Sequence, residues 1–326
     1  MKKKTLIWVL SAVVLMASAF SNPGNDKKDI ICWGDSLTAP HGDRTDWPAQ
    51  LQEMLGDGYN VINGGIAGEN TTTIMARQGA SPMRLAHDVT IFNSKDAAFK
   101  TFIGNNDIET FYSSWNGKRV TPLLQGGWDE SGPSQINPCT IGGRPFHLAS
   151  DSKIWMEEGS FKMENNLYIL PDDEWPSTGV LKAGTEIETY AMKNLRGKYA
   201  NIFFIGQNGG FADAEDLIRQ IEAMIDYSGS PRYIVVSYHI YNGIVGMNEL
   251  EEALGKRFGN HYFNLRNYLI TKGLADAGVE PTESDKKALS EDRVPPSLMT
   301  DGVHFTTDGY RLIAAQVYAK MQELEY

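Results

Sequence analysis

Ser36 lies just past a run of apolar residues in "IICWGDSLTAP", where the run breaks into a Gly-Asp-Ser turn. A serine hydroxyl is a weak nucleophile. To attack a carbonyl it needs a base to take its proton, a group to orient that base, and hydrogen-bond donors for the oxyanion that forms. Near the other end, "MTDGVHFTTDGYRLIAAQVYAKM" places Asp301 three residues before His304 in a Gly-containing loop. At that spacing the two can share one short loop, with His304 facing the serine and Asp301 holding the other ring nitrogen. Taken alone, Ser36 also fits a turn or helix cap, and Asp-x-x-His fits a surface turn or half of a metal site. No other His/Cys/Asp cluster has metal-ligand spacing, so no metal is expected. For the donors, "YNVINGGIAGENT" gives a short apolar strand, residues 59 to 62, ending in Asn63, Gly64, Gly65 and Gly68. Glycines there let a backbone N–H approach a ligand closely. A dinucleotide loop would need glycine at Asn63, so no nucleotide cofactor is expected.

The elements that must hold these residues are legible around them. "IICW" reads as a buried strand delivering Ser36 to the carboxyl end of a sheet, and "DWPAQLQEML" after it has the apolar spacing of a helix. A second strand, "NIFFIG", leads through Gln207, Asn208 and Gly209 into "ADAEDLIRQIEAMIDY". There Leu217, Ile218, Ile221, Met224 and Ile225 recur at helical spacing, and the apolar strand "RYIVVSYHI" follows. That is a β-α-β unit of a parallel sheet. An amphipathic helix is predicted from about Gly309. Between about residues 80 and 197 the chain instead runs through "NGKRVTPLLQ", "NPCTIGGRPFHLAS", "SFKMENNLYILPDD" and "VLKAGTEIETYAM", short strand-like pieces broken by Gly, Pro and Asn, which predict an all-β segment.

"GDSL", a strand ending "NGGIAG", a Gly-x-Asn after a later strand, and "DGVH", in this order, resemble the SGNH (GDSL-type) hydrolase family. The resemblance implies a flavodoxin-like three-layer α/β/α sandwich and an esterase, lipase or carbohydrate deacetylase activity. It also implies that Ser36 is the nucleophile, that His304 is the base with Asp301 behind it, and that the Ser36 and Gly65 N–H groups belong to an oxyanion hole completed by an asparagine. Two asparagines compete for that place. "GNND" contains Asn106 and matches the family's Gly-x-Asn-Asp literally, whereas "GQNG" contains Asn208 and lacks the aspartate. The flanks favour Asn208, because only it lies between a parallel strand and its helix. The domain plan that follows is residues 28–79 and 198–326 as one α/β domain of about 180 residues, with 80–197 a β-rich insertion beside the catalytic mouth. The resemblance covers a little over half of the chain.

The remaining expectations concern surroundings. The chain has 326 residues and a formal charge of −11, with no Lys/Arg cluster after the first four residues, which argues against nucleic acid or an anionic membrane as partner. "MKKK" followed by "TLIWVLSAVVLMASAF" reads as a signal peptide, residues 1–19, and hence a secreted or periplasmic protein with no stable membrane association after cleavage. With two cysteines, Cys32 and Cys139, there is no disulfide framework. Trp47, Trp115, Trp128, Trp155 and Trp175 are compatible equally with a sugar-stacking platform and with a small aromatic core. His239 is expected to be structural, His147 to be a solvated or core residue, and Asp35 to fix the nucleophile loop. Export, acidity and the lack of a long apolar lid favour a short acyl ester, acetyl above all, on a soluble carbohydrate. A longer-chain lipase and a catalytically silent carbohydrate-binding protein are the alternatives.

Overall fold

The computed structural model describes residues 27–91, 101–104, 111–120, 136–157, 160–172 and 179–326. The proposed signal peptide and Asn106 lie outside them. Strands β1 (Lys28–Gly34), β2 (Tyr59–Gly65), β3 (Ala200–Phe204), β4 (Tyr233–Val236) and β5 (Tyr262–Phe263) form a sheet in the order β5-β4-β3-β1-β2, and every pairing is parallel. Read from β2, this is the 2-1-3-4-5 order of flavodoxin-like sheets. β1 lies inside the sheet between β3 and β2 and is buried on both faces, with Ile30 and Cys32 on one side and Ile31 and Trp33 on the other. That is why "IICW" is apolar throughout rather than alternating.

Helices complete two outer layers. α1 (Trp47–Leu55) and α5 (Thr307–Glu323) supply Trp47, Leu51, Leu312, Ile313 and Val317 to the core on the Cys32 side. α2 (Thr71–Gln78), α3 (Ala214–Ser228) and α4 (Met247–Phe258) cover the Trp33 side with Ile74, Met75, Leu217, Ile221 and Leu250. The helices start at sequence-encoded caps: the Asp46 side chain accepts the Ala49 N–H, Asp213 accepts Asp216, and Thr306 accepts Gly309. α2 carries three threonines and only eight residues, too few for an isolated helix. It forms because all eight residues are buried and because Asn70 and Thr73 make a reciprocal capping box.

Between α2 and β3 the described chain forms a second, antiparallel sheet. Its eight strands run, edge to edge, through Thr101–Gly104, Ser160–Pro171, Arg144–Glu157, Cys139–Ile141, Glu186–Glu188, Met83–Leu85, Phe111–Trp115 and Lys118–Val120. Met83, Leu85, Phe111, Ile141, Phe146 and Ile187 make its core, which Ala76 of α2 joins. One piece differs from expectation: the "YAM" of the last strand-like segment begins a short helix, Tyr190–Asn194, because the Thr189 hydroxyl caps the Met192 N–H at 3.1 Å. Cys32 and Cys139 are both free and buried, one in each sheet, and burial pushes both thiols well above their ordinary value. Among the described residues no helix is long and apolar enough to cross a membrane.

Candidate active site

Ser36 lies in the turn directly after β1, at the carboxyl edge of the parallel sheet. Its turn is held by the residue before it. The Asp35 carbonyl accepts the N–H groups of Thr38 and Ala39, and Asp35 Oδ1 accepts the Leu37 N–H at 2.9 Å. Asp35 thus fixes the nucleophile loop. Its other oxygen, Oδ2, is buried with no partner, and burial pushes the carboxyl up to about 7, the Leu37 N–H pulling the other way.

His304 arrives from 268 residues away on a tight loop, closed where Met299 pairs with Phe305 and where Thr300 donates its N–H to the His304 carbonyl. The loop is anchored by the Phe305 ring, 4.3 Å between centroids from His239 and 5.5 Å from Tyr310. Inside the loop Asp301 does two things. Oδ1 accepts the N–H groups of Val303 and His304, at 3.0 and 2.8 Å, and Oδ2 faces His304 Nδ1 at 2.8 Å. The His304 N–H, the His304 ring and the Val303 N–H hold the Asp301 carboxyl well below the ordinary carboxylate range. With Nδ1 protonated against this carboxylate, Nε2 remains as an acceptor, and it lies 2.9 Å from Ser36 Oγ. The structure therefore brings Ser36, His304 and Asp301 into one hydrogen-bonded line.

The glycine strand is arranged differently from the sequence expectation. β2 extends to Gly65, which is buried, and the Gly65 N–H already donates to Asn63 Oδ1 at 2.9 Å. Gly65 is not available as an oxyanion donor. It is a glycine for another reason: a Cβ there would lie 2.3 Å from the Ala39 nitrogen, so only glycine lets β2 approach the nucleophile loop. Asn63 Nδ2 reinforces the approach by donating to the Thr38 carbonyl at 2.6 Å. Three residues on, Gly68 is exposed at φ 79°, and its N–H has no partner among the described residues. Asn208 is also exposed, and its Nδ2 donates to the Glu69 carbonyl at 3.0 Å, which ties the loop after β3 to the Gly68 turn. The Ser36 N–H is likewise unpartnered among the described residues. Spacing does not distinguish Gly65 from Gly68, because both follow the same strand; exposure and hydrogen bonding do.

A buried ion pair supports this turn. Arg77 Nη2 and Glu69 Oε2 are 2.6 Å apart with both side chains about 1% exposed, and Arg77 also donates to the Gly64 carbonyl at 2.8 Å. No sequence signal marks the pair, since its residues are eight apart and belong to different local structures.

Other candidates have structural roles. His239 is buried and donates Nε2–H to the Val303 carbonyl at 2.9 Å, and His147 pairs with Asp172. Trp47 is a core residue and Trp115 is half-buried at a hairpin end; Trp128, Trp175 and the Trp155 side chain lie outside the described residues. Among the described residues no group of His, Cys, Asp or Glu is arranged to hold a metal ion. The mouth is more apolar than the sequence suggested. Exposed Val303 adjoins His304, exposed Ile244 packs over Gly209 beside Asn208, and Tyr241 stands exposed in the same loop as Ile244. A cavity of about 510 Å³ opens between that loop and the Met299–Gly302 segment.

No family model and no curated protein sequence matches the chain. Among solved structures it is similar to one from Desulfitobacterium hafniense DCB-2 assigned to the G-D-S-L family of lipolytic proteins, with 11% identity and a TM-score of 0.40, covering 90% of this chain and 99% of that one. It is also similar to a carbohydrate acetylesterase family member from Sinorhizobium meliloti, with 13% identity and a TM-score of 0.37, covering 91% and 98%.

Proposed function

We propose that the protein hydrolyses carboxylic esters through a serine acyl-enzyme. The observation that carries this reading is the line from Asp301 Oδ2 to His304 Nδ1, 2.8 Å, and from His304 Nε2 to Ser36 Oγ, 2.9 Å. Ser36 Oγ attacks the ester carbonyl as its proton passes to His304 Nε2, and Asp301 stabilises the imidazolium. The tetrahedral oxyanion is held by the N–H groups of Ser36 and Gly68 and by Asn208 Nδ2, Gly68 taking the place expected for Gly65. Collapse expels the alcohol, which takes the proton from His304; His304 then deprotonates water, which releases the acid and restores Ser36.

The finer reading is an exported enzyme, its signal peptide residues 1–19, acting on a short acyl ester of a carbohydrate, with residues 80–197 an insertion into the α/β domain and no nucleic-acid or membrane partner. It is supported by the basic-then-apolar start, the acidic composition and the placement of the antiparallel sheet between α2 and β3. A longer acyl chain is the second reading, favoured by exposed Val303, Ile244 and Tyr241 and by the adjoining cavity of about 510 Å³.

Hydrolysis of p-nitrophenyl acetate, butyrate and octanoate by the purified protein, with Ser36→Ala as control, tests both. Turnover that is lost in Ser36→Ala is expected, with acetate preferred; an octanoate preference selects the second reading. Absence of Ser36-dependent turnover on all three would sink the acyl-enzyme mechanism and bring forward a silent binding protein. Asn208→Ala is expected to lower kcat by about 10²–10³ and Asn106→Ala to leave it near wild type. Equal losses with folding intact would contradict the assignment of Asn208.

A further inference from the structure

The two segments that present Gly68 and Asn208 continue into one wall of a second cavity. Of about 370 Å³, it opens between Thr72, at the start of α2, the Gly210–Ala212 stretch just beyond Asn208, and a turn of the antiparallel sheet, Trp115–Lys118. That volume falls in the ~300–1,000 Å³ range of ligand sites. Asn116 and Gly117 both have positive φ, 48° and 74°, as a tight two-residue hairpin turn requires, so the Trp115 end of the strand is held stiffly.

One carboxylate clips this turn to the α/β core. Asp216 Oδ1 accepts Trp115 Nε1–H and Asn116 Nδ2–H, both at 2.9 Å, and Arg219 Nη2 at 3.0 Å, while Oδ2 accepts the Ala212 N–H at 3.0 Å. Desolvation alone would raise the Asp216 carboxyl, but these donors outweigh it and hold it below its ordinary value. The indole plane is therefore fixed before any ligand arrives. Around it the cavity offers a second aromatic ring, Phe211, and the exposed polar groups of Asn116, Lys118 and Arg219.

A flat aromatic surface edged by a planar amide and cationic groups is the chemistry that recognises a sugar ring. The apolar C–H face of the ring lies on the indole, and its hydroxyls meet donors and acceptors at the edge. An acyl chain would leave the polar edge unpaired, and a nucleic acid would meet a protein with a formal charge of −11. We propose that this cavity is a sugar subsite, which seats one ring of a glycan on Trp115 while an ester on the same glycan lies at Ser36. The proposal rests on the esterase reading for its second half and on the cavity alone for its first.

Two measurements on the purified protein separate these halves. In native gels containing acetylated xylan, acetylated galactoglucomannan or acetylated pectin, wild type and Ser36→Ala are both expected to be retarded by at least one polymer. Trp115→Ala should migrate as in a polymer-free gel. In kinetics on the same polymer, Trp115→Ala is expected to raise KM about five- to tenfold while p-nitrophenyl acetate hydrolysis stays at wild type. Because Trp115→Ala also removes a bond to Asp216, Lys118→Ala is the second variant; it removes an exposed cation and is expected to raise KM on the polymer about two- to threefold with an unchanged melting temperature. Retardation of wild type by none of the polymers, or polymer KM values unmoved in both variants, overturns the subsite. Retardation that depends on Trp115 without Ser36-dependent turnover would keep the subsite and remove the esterase reading.

Discussion

Asp35 sits between β1 and the nucleophile with one carboxylate oxygen buried and unpaired, and this residue should leave a mark on the pH dependence of stability. Its folded value, about 7, lies above the ordinary 3.8, so the folded chain holds the proton more tightly than the unfolded one. The stability it contributes is complete below its ordinary value and is lost as pH rises through about 7. His239 runs the opposite way: burial holds it down to about 3, so its contribution is present above its ordinary 6.5 and is lost as pH falls from 6.5 toward about 3. Asp35→Asn removes the first effect and keeps the second. Its melting temperature relative to wild type is expected to improve steadily from about pH 4 to about pH 8, by the equivalent of a few kcal/mol at most; a difference that stays constant with pH would show that Asp35 is not held protonated. At this scale the sequence was informative where chemistry demands a residue type. Ser36, Asp301 and His304 could be named because a nucleophile, an orienting acid and a base are few in kind and stood in turns. Gly65 and Gly68 could not be told apart, because what distinguishes them is whether an N–H points to Asn63 or to solvent.

Elements with strong periodicity were legible, and elements made by their surroundings were not. β1, β3 and β4 carry continuous apolar runs because both faces are covered, and α3 shows its apolar stripe plainly. α2 has neither signal. Three threonines begin it, and its helical state comes from burial, from the Asn70 cap and from Arg77 reaching back to Glu69 and Gly64. The turn bearing Gly68 is thus held from behind by a charge pair out of contact with water. Replacing Arg77 by Met should strand the Glu69 carboxylate and lower the unfolding free energy by roughly 3–5 kcal/mol, while Arg77→Met combined with Glu69→Gln should recover part of it. Urea titration of the two variants is the measurement, and a single variant no less stable than the double would refute the pairing as a support.

At the scale of the whole molecule, a parallel sheet could be anticipated from the β-α-β unit around Asn208, its flavodoxin-like architecture only through the family resemblance, and the β-rich character of the segment after α2 from its Gly, Pro and Asn breaks. The coupling between the sheets could not, because it rests on single side chains far apart in sequence. α2 gives Ile74 and Met75 to one core and Ala76 to the other, and Asp216 binds the Trp115 turn across the junction. Each sheet also encloses one free thiol, Cys32 at 0% exposure and Cys139 at 1%. An alkylating reagent reaches either only after its own sheet opens, so the two sulfurs act as a pair of clocks, one per sheet, already running in the unmodified chain. Mass-resolved labelling in mild denaturant should find both keeping the same time if α2 makes the sheets open together. A Cys139 that ticks ahead of Cys32 would reveal an antiparallel sheet that parts first, and would date the moment at which the Trp115 wall leaves the mouth.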